Sequence, residues 1–208
     1  MKKLVFAFLL LIANATAAFA SPTTLTSKLN VDNTFSFYVS TNDSTLGTFI
    51  GSGSDWGTTS SFSSILTAGV TNYLHIIATN LGGPGGFLGA FTLSGSDDFV
   101  FANGSKTLLT GDTGLKQNLT GFGTPYNATV SEGANGVSPW GYIASYGTLV
   151  PQWVWNYNST SSGDFNTVYF SAAILQAAAV PEPGSIALLG LGLLALMVLY
   201  KRRSQSQA

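Results

Sequence analysis

The sequence predicts an all-β domain, a sandwich or jelly roll of short strands, set between two apolar end segments. Three observations lead there. Stretches such as Thr34 to Val39 (TFSFYV) and Tyr73 to Thr79 (YLHIIAT) repeat their side-chain character in steps of two, the period of a strand. Clusters of Gly, Pro, Asn, Asp and Ser, among them GSGSD and GGPGG, separate such stretches. No part of the interior sustains the apolar repeat of an amphipathic helix, and many short strands divided by turn residues build layered antiparallel sheets.

The first element, residues 1–20, is not part of that domain. Lys2 and Lys3 precede the apolar run Leu4 to Ile12, and Ala18-Phe19-Ala20 forms a small-x-small site ahead of Ser21. This is the pattern of a secretory signal peptide cut by signal peptidase, with Ala18 and Ala20 as the cleavage determinants. An apolar core of about nine residues is too short for a spanning helix, which needs roughly 20.

Within residues 21–179, one domain in size, the strands predicted in order are Thr34 to Val39, Leu46 to Ile50 and Tyr73 to Thr79. Gly89 to Leu93, Phe99 to Phe101, Trp153 to Tyr157 and Val168 to Ser171 follow. In TFSFYV, Phe35, Phe37 and Val39 share one side with Tyr38 opposite; in YLHIIAT both sides are largely apolar. The region carries three basic residues against eight acidic ones, a formal excess of five negative charges. Nucleic acid and acidic lipid are poor partners for it, because phosphate binding relies on clustered Lys and Arg. With no cysteine in the chain, stability has to come from the core without disulfides.

The closing element is VPEPGSIALLGLGLLALMVLYKRR, residues 180–203, followed by a short tail at 204–208 predicted to be cytoplasmic. Gly184 to Tyr200 is uncharged, about 17 residues long, and at roughly 1.5 Å per residue would reach about 25 Å as a single transmembrane helix, near the lower limit for a bilayer. Lys201, Arg202 and Arg203 hold the C-terminal side in the cytoplasm, and Pro181 and Pro183 forbid a helix just before the span. Pro181-Glu182-Pro183, apolar helix and Lys-Arg-Arg together resemble the PEP-CTERM sorting tail of Gram-negative bacteria, the substrate signal of exosortase. That resemblance implies a temporary inner-membrane hold with a periplasmic ectodomain. Exosortase would then cut near Pro-Glu-Pro and relocate the ectodomain to the cell surface or its extracellular polysaccharide, as in biofilm matrices.

A second resemblance covers about Val31 to Ser171. VDNTFSFYVS, FIGSGSDW, LTAGVTNYLHIIATNLGGPGGFLGAF, TGDTGLK, ANGVSPWG and QWVWNYNSTSSGDFNTVYFS are similar to segments of the galactose-binding-like jelly-roll sandwich. In TGDTGLK the family's Trp is replaced by Leu115, a departure at the position of a pocket residue. The resemblance implies a binding or structural module rather than an enzyme, since such domains leave catalysis to a neighbouring barrel.

The residues agree with a noncatalytic reading. The chain has one histidine, His75, inside the YLHIIAT strand, where a packed or edge position is expected of it; there is no GxSxG elbow and no zinc set. Asp97 and Asp98 are adjacent and on a strand would face opposite ways. Sugar recognition uses aromatic faces, so the candidate ligand contacts are the four Trp. Trp153, Trp155 and Tyr157, two apart, are expected on one strand face, as a platform or as half of the core. Trp56 and Trp140 stand in loop-like sequence and are expected either as exposed contacts or as rings that plug a loop by packing. Asp32-Asn33, Asn42-Asp43 and Asp97-Asp98 offer hard oxygens that a structural calcium could use, but no EF-hand spacing indicates one, and solvated turns are the simpler account of them. No cofactor is implied. The sequence thus predicts an exported surface protein that is a carbohydrate-binding module or, alternatively, a structural or adhesive one with no sugar pocket.

Overall fold

The computed structural model describes residues 21–95, 99–123, 125–156, 166–176, 189–197, 200 and 203. The chain divides into two compact units, Met1–Ala177 and Ala178–Ala208. The first is built of β1 (Thr24–Asp32), β2 (Thr34–Ser40), β3 (Thr48–Gly53), β4 (Ser60–Ile65), β5 (Asn72–Asn80), β6 (Gly86–Ser94) and β7 (Phe99–Phe101). After these come β8 (Thr107–Leu109), β9 (Lys116–Asn118), β10 (Asn127–Ala128), β11 (Val130–Ala134), a 3-10 turn (Ala144–Tyr146), β12 (Gln152–Trp155) and β13 (Asn166–Gln176).

Two antiparallel sheets result. One runs β11-β12-β6-β1-β4 with β8 paired to β6; the other runs β10-β9-β13-β5-β2-β3 with β7 paired to β13. Period-two burial forms the layer between them. Leu25, Leu29 and Val31 of β1 meet Phe35 and Phe37 of β2, Leu74 and Ile76 of β5, and Val168 and Phe170 of β13 in one cluster. Aromatic rings run through it: Phe37 lies 6.2 Å from Phe91, Phe91 6.4 Å from Phe87, and Phe87 5.0 Å from Phe170. Such edge-on and tilted pairs add to the area they bury. The all-β, two-sheet architecture is therefore the one the strand periodicity indicates.

The first sheet is buried on both faces over part of its surface. Residues 135–149 fold over its outer side, where Leu88, Ala90, Trp140, Tyr146 and Trp153 make a second buried cluster, flanked by Trp56, Val137, Ile143 and Leu149. Asn135 pins this cover, its side chain donating to the Ile143 carbonyl and accepting from the Ile143 amide, both at 2.9 Å. This explains why Asn30 and Asp32, which alternate away from the main core on β1, are nevertheless buried.

In the second unit, residues 189–197, Tyr200 and Arg203 are helical. Among the described residues no helix is long and apolar enough to cross a membrane. The predicted span Gly184 to Tyr200 thus has only part of its length within the described helix. The signal peptide with Ala18 and Ala20, the carboxylates Asp97 and Asp98, and Tyr157 lie outside the described residues, as do Pro181, Glu182, Pro183, Lys201 and Arg202.

Candidate functional site

Among the described residues, the tryptophans singled out in the sequence do not form an exposed platform. Trp140 is 3 % exposed, and Trp153 and Trp155 are 0 % exposed. Of the two placements expected of Trp140, exposed contact or loop plug, the structure shows the second: its loop is pressed onto the sheet. Its ring stacks on Trp153 at 4.6 Å and 17°, and its Nε1 donates to Asp32 Oδ2 at 2.9 Å. Trp153 and Trp155, expected on one face, enter different clusters. Trp153 joins Trp140 under the cover; Trp155, the last residue of its strand, joins the main core, with its ring 5.8 Å from Phe170 and its Nε1 donating to Asn166. The face rule assumes a regular strand, and β12 ends at Trp155 with a bend at Asn156.

Two glycines of GGPGG make this packing feasible. A Cβ on Gly86 would sit 2.6 Å from Trp140 Cζ2 and 2.9 Å from Trp153 Cε3, and one on Gly85 2.6 Å from Trp155 Cε2. What reads as a turn signal is also the seat of three indoles, an approach only glycine permits.

Trp56 alone of the four stays partly exposed. Asp55 positions it: Oδ2 accepts from the Thr58 hydroxyl at 2.7 Å and Oδ1 from the Gly57 amide at 2.9 Å. These bonds, the Thr58 one foremost, hold the Asp55 carboxyl below its ordinary value. The Trp56 carbonyl accepts from Asn30 Nδ2 at 2.7 Å. Asn30 Oδ1 in turn lies 2.9 Å from the Tyr146 hydroxyl, which is also 2.9 Å from the Leu88 carbonyl. Burial pushes the Tyr146 phenol far above its usual range.

Beneath the cover, burial raises the Asp32 carboxyl above the ordinary carboxylate value, while the bond from Trp140 acts in the opposite sense. A group whose folded value is raised favours folding at acid pH, and that contribution is lost as pH rises through the folded value. Asp32→Asn keeps an oxygen for Trp140 and removes the buried charge. Urea denaturation is expected to show the variant more stable than the parent at about pH 7, the difference vanishing toward about pH 3, below the unfolded carboxylate value. A deficit that does not change with pH would contradict this.

The outer face of the second sheet carries a polar cluster that sequence reasoning missed. His75 on β5 and Ser171 on β13 are register partners. Asp43, from the β2–β3 loop, inserts Oδ1 between them, accepting from Ser171 Oγ at 2.7 Å, the Tyr126 hydroxyl at 3.1 Å and His75 Nε2 at 3.0 Å. His75 Nδ1 faces the Leu46 carbonyl at 3.3 Å, and Phe122 stacks on the imidazole at 3.9 Å. Desolvation raises the Tyr126 phenol. A Ser, a His and an Asp meet here, yet the hydroxyl donates to the carboxylate and His75 is 0 % exposed. A nucleophile must instead give its proton to the base, so this geometry is that of a clamp closing two loops over a sheet.

The oxygen-rich turns also have local explanations. Asn42, Asn103 and Asn118 each accept, through Oδ1, the amide two residues on, the Asx turn. Asp112 of TGDTGLK accepts the Leu109 amide at 2.9 Å, and Leu115 is in the core. Among the described residues no group of three or more His, Cys, Asp or Glu is placed to hold a metal ion.

Together these features define an all-β sandwich unit followed by a separate C-terminal helical unit. Residues 179–203 match the family described as the PEP-CTERM protein-sorting motif. The match covers the Pro-Glu-Pro and reaches the basic cluster at Arg203, and it supports an exported protein targeted to an exosortase, with membrane anchoring before cleavage. No curated protein matches the chain. No solved structure matches it either.

Proposed function

We propose that the chain is a noncatalytic surface protein of a Gram-negative cell, held in the inner membrane by the helix within Gly184 to Tyr200 and released by exosortase near Pro181-Glu182-Pro183. The sandwich then serves as a structural or adhesive module of the cell surface or its polysaccharide matrix. The sorting motif over residues 179–203 carries the reading. Burial of Trp140, Trp153 and Trp155 favours the structural role over a sugar platform, because these rings are spent on packing. A galactose-binding-like jelly roll is the specific sandwich we assign, supported by the two antiparallel sheets.

Carbohydrate binding is a second reading, favoured by one observation. Trp56 is partly exposed and Tyr142, on the cover segment, is 67 % exposed, which leaves two aromatic faces for a neutral glycan. Pull-down on matrix polysaccharide should then be lost in Trp56→Ala while the variant remains folded; no retention of the parent would remove this reading.

Sorting is tested by intact mass and fractionation from the native host. The parent is expected to end near Val180 and to lie outside the inner membrane. Separate replacement of Pro181, Glu182 and Pro183 should leave an uncut tail in the inner membrane. An uncut tail in the parent would instead mean a permanent periplasm-facing anchor.

A further inference from the structure

We infer that β4 is a pairing edge, at which a second copy of this chain adds its own β4 antiparallel to form a continuous sheet across two molecules. The inference rests on the surface-protein reading above and names a partner for it. A strand at the end of a sheet exposes unpaired backbone groups, and folded proteins blunt such ends with bulges, charges or very short strands. Among the described residues, three of the four path-end strands are blunted. β10 has only two residues. β11 shifts register between Ser131 and Gly133, leaving the acidic Glu132 as the extra residue, a bulge. β3 faces a register shift at Phe37/Tyr38.

The end strand β4 has none of these devices. Its six residues, SSFSSI, pair without interruption with β1 from Leu29↔Ser60 to Thr24↔Ile65. It contains no charge, proline or glycine, and among the described residues it ends the path of its sheet. Ile65 is 65 % exposed at its end. It lines, with Gly47, Thr48, Ser64 and Thr67, a cleft that opens between the ends of β3 and β4.

Charge selects the occupant. The ectodomain has five excess negative charges, which repel copies brought together elsewhere on its surface, whereas residues 59–67 carry none. The one charged side chain in register with β4 is Lys28, opposite Ser61, and its ammonium donates to the Ser145 carbonyl. Two β4 edges therefore meet with no like charges face to face. Ser61 and Ser63, exposed and small, leave room for a neighbour. Antiparallel pairing of one strand with itself closes on a two-fold axis, the commonest symmetry of assembly. Sorting to one surface raises the local concentration of copies, which favours so modest a contact.

The absence of cysteine makes the test direct. Residues facing each other across an antiparallel pair lie about 4.5–5.5 Å apart at Cα, within the roughly 4.4–6.8 Å that a disulfide bridges. Across the two-fold a residue meets its own copy only where the axis passes through it, and Ser61 meets Ser63 where the axis passes through Phe62. Full-length chains with Ser61→Cys, with Ser63→Cys or with both, expressed separately in the host, cover these central registers, and at least one should give a reducible dimer as the main species on non-reducing gels. Ser131→Cys, on the opposite edge, should stay monomeric. Ser63→Lys, with circular dichroism unchanged, should convert the sedimenting species of the otherwise unmodified chain from dimer to monomer. Monomers from all three β4 cysteine variants, or equal dimer from Ser131→Cys, would overturn the pairing. Fractionation of the same cells reports sorting separately: monomers at the surface contradict the pairing alone, and dimers retained in the inner membrane contradict the sorting alone.

Discussion

Replacing Asp43 by alanine is expected to destabilise the sandwich by about 3 kcal/mol, because buried donors left without an acceptor cost about 1–3 kcal/mol each. Three donors converge on the single oxygen Oδ1. His75 and Ser171 are 0 % and 4 % exposed, so neither finds water readily once the carboxylate is gone. Asp43 itself is 29 % exposed, and solvent entering from its side keeps the loss from reaching the sum of the separate bonds. Asp43→Asn retains one oxygen and should lose about half as much, since a neutral acceptor binds less strongly than a charged one. Urea midpoints measure both. Hydrogen exchange should rise first in residues 41–47 and 119–123, the two loops that the carboxylate and the Phe122 stack hold on the sheet. A loss under about 1 kcal/mol, within the range of a single ordinary hydrogen bond, would show that the loops stay closed without the clamp.

That clamp also shows where sequence reasoning stops. Thr34 to Val39, Tyr73 to Thr79 and Phe99 to Phe101 are legible because alternation of large apolar side chains is itself what drives a strand to bury one face. All three coincide with observed strands to within a residue at each end. β1 is not among the predicted strands, although Leu25, Leu29 and Val31 turn inward, because Ser27 takes an inward place and breaks the apolar series that marks the other strands. The short strands β8 to β11 exist through pairing with their neighbours rather than through any pattern of their own. Asp43 and His75 stand 32 positions apart, and their meeting depends on how the β2–β3 loop lies across β5. Likewise the SPWGY segment is a loop, as its residues indicate. What sequence could not supply is that residues 135–149 lie flat on the first sheet and seal Trp140 from water. Local pattern reports which face of an element is apolar; it does not report what else lies on top of the other face. The sorting tail was legible for the opposite reason, since its signal is contiguous and is read by a processing enzyme rather than by tertiary packing.

Trp153→Ala is expected to cost about 3–5 kcal/mol, the range for removing a large aromatic side chain from a closed core. The side chain is 0 % exposed, stacks on Trp140 and rests against Gly86. Neither neighbour can fill the space: Gly86 has no side chain, and Trp140 is held in place by its bond to Asp32. The cavity therefore persists, and its cost adds to the lost transfer energy. Trp153→Phe separates packing from polarity. Trp153 Nε1 is buried with no hydrogen-bond partner among the described residues, so phenylalanine loses part of the ring but also removes a donor whose burial is unfavourable. Its net cost should be smaller than that of Trp153→Ala, because the cavity it leaves is smaller and the unpaired donor is gone. The contrast with Trp56→Ala bears on function. Trp56 is only partly buried at the margin of the same cluster, and its removal should cost about 1 kcal/mol, the ordinary effect of a point substitution. Loss of glycan retention in Trp153→Ala would then report unfolding of the cover, and loss in a Trp56→Ala protein that is still folded would report a contact. Denaturation curves for all three variants, read beside retention, separate these cases. A Trp153→Ala protein as stable as its parent would mean that the cover segment does not depend on the indole stack.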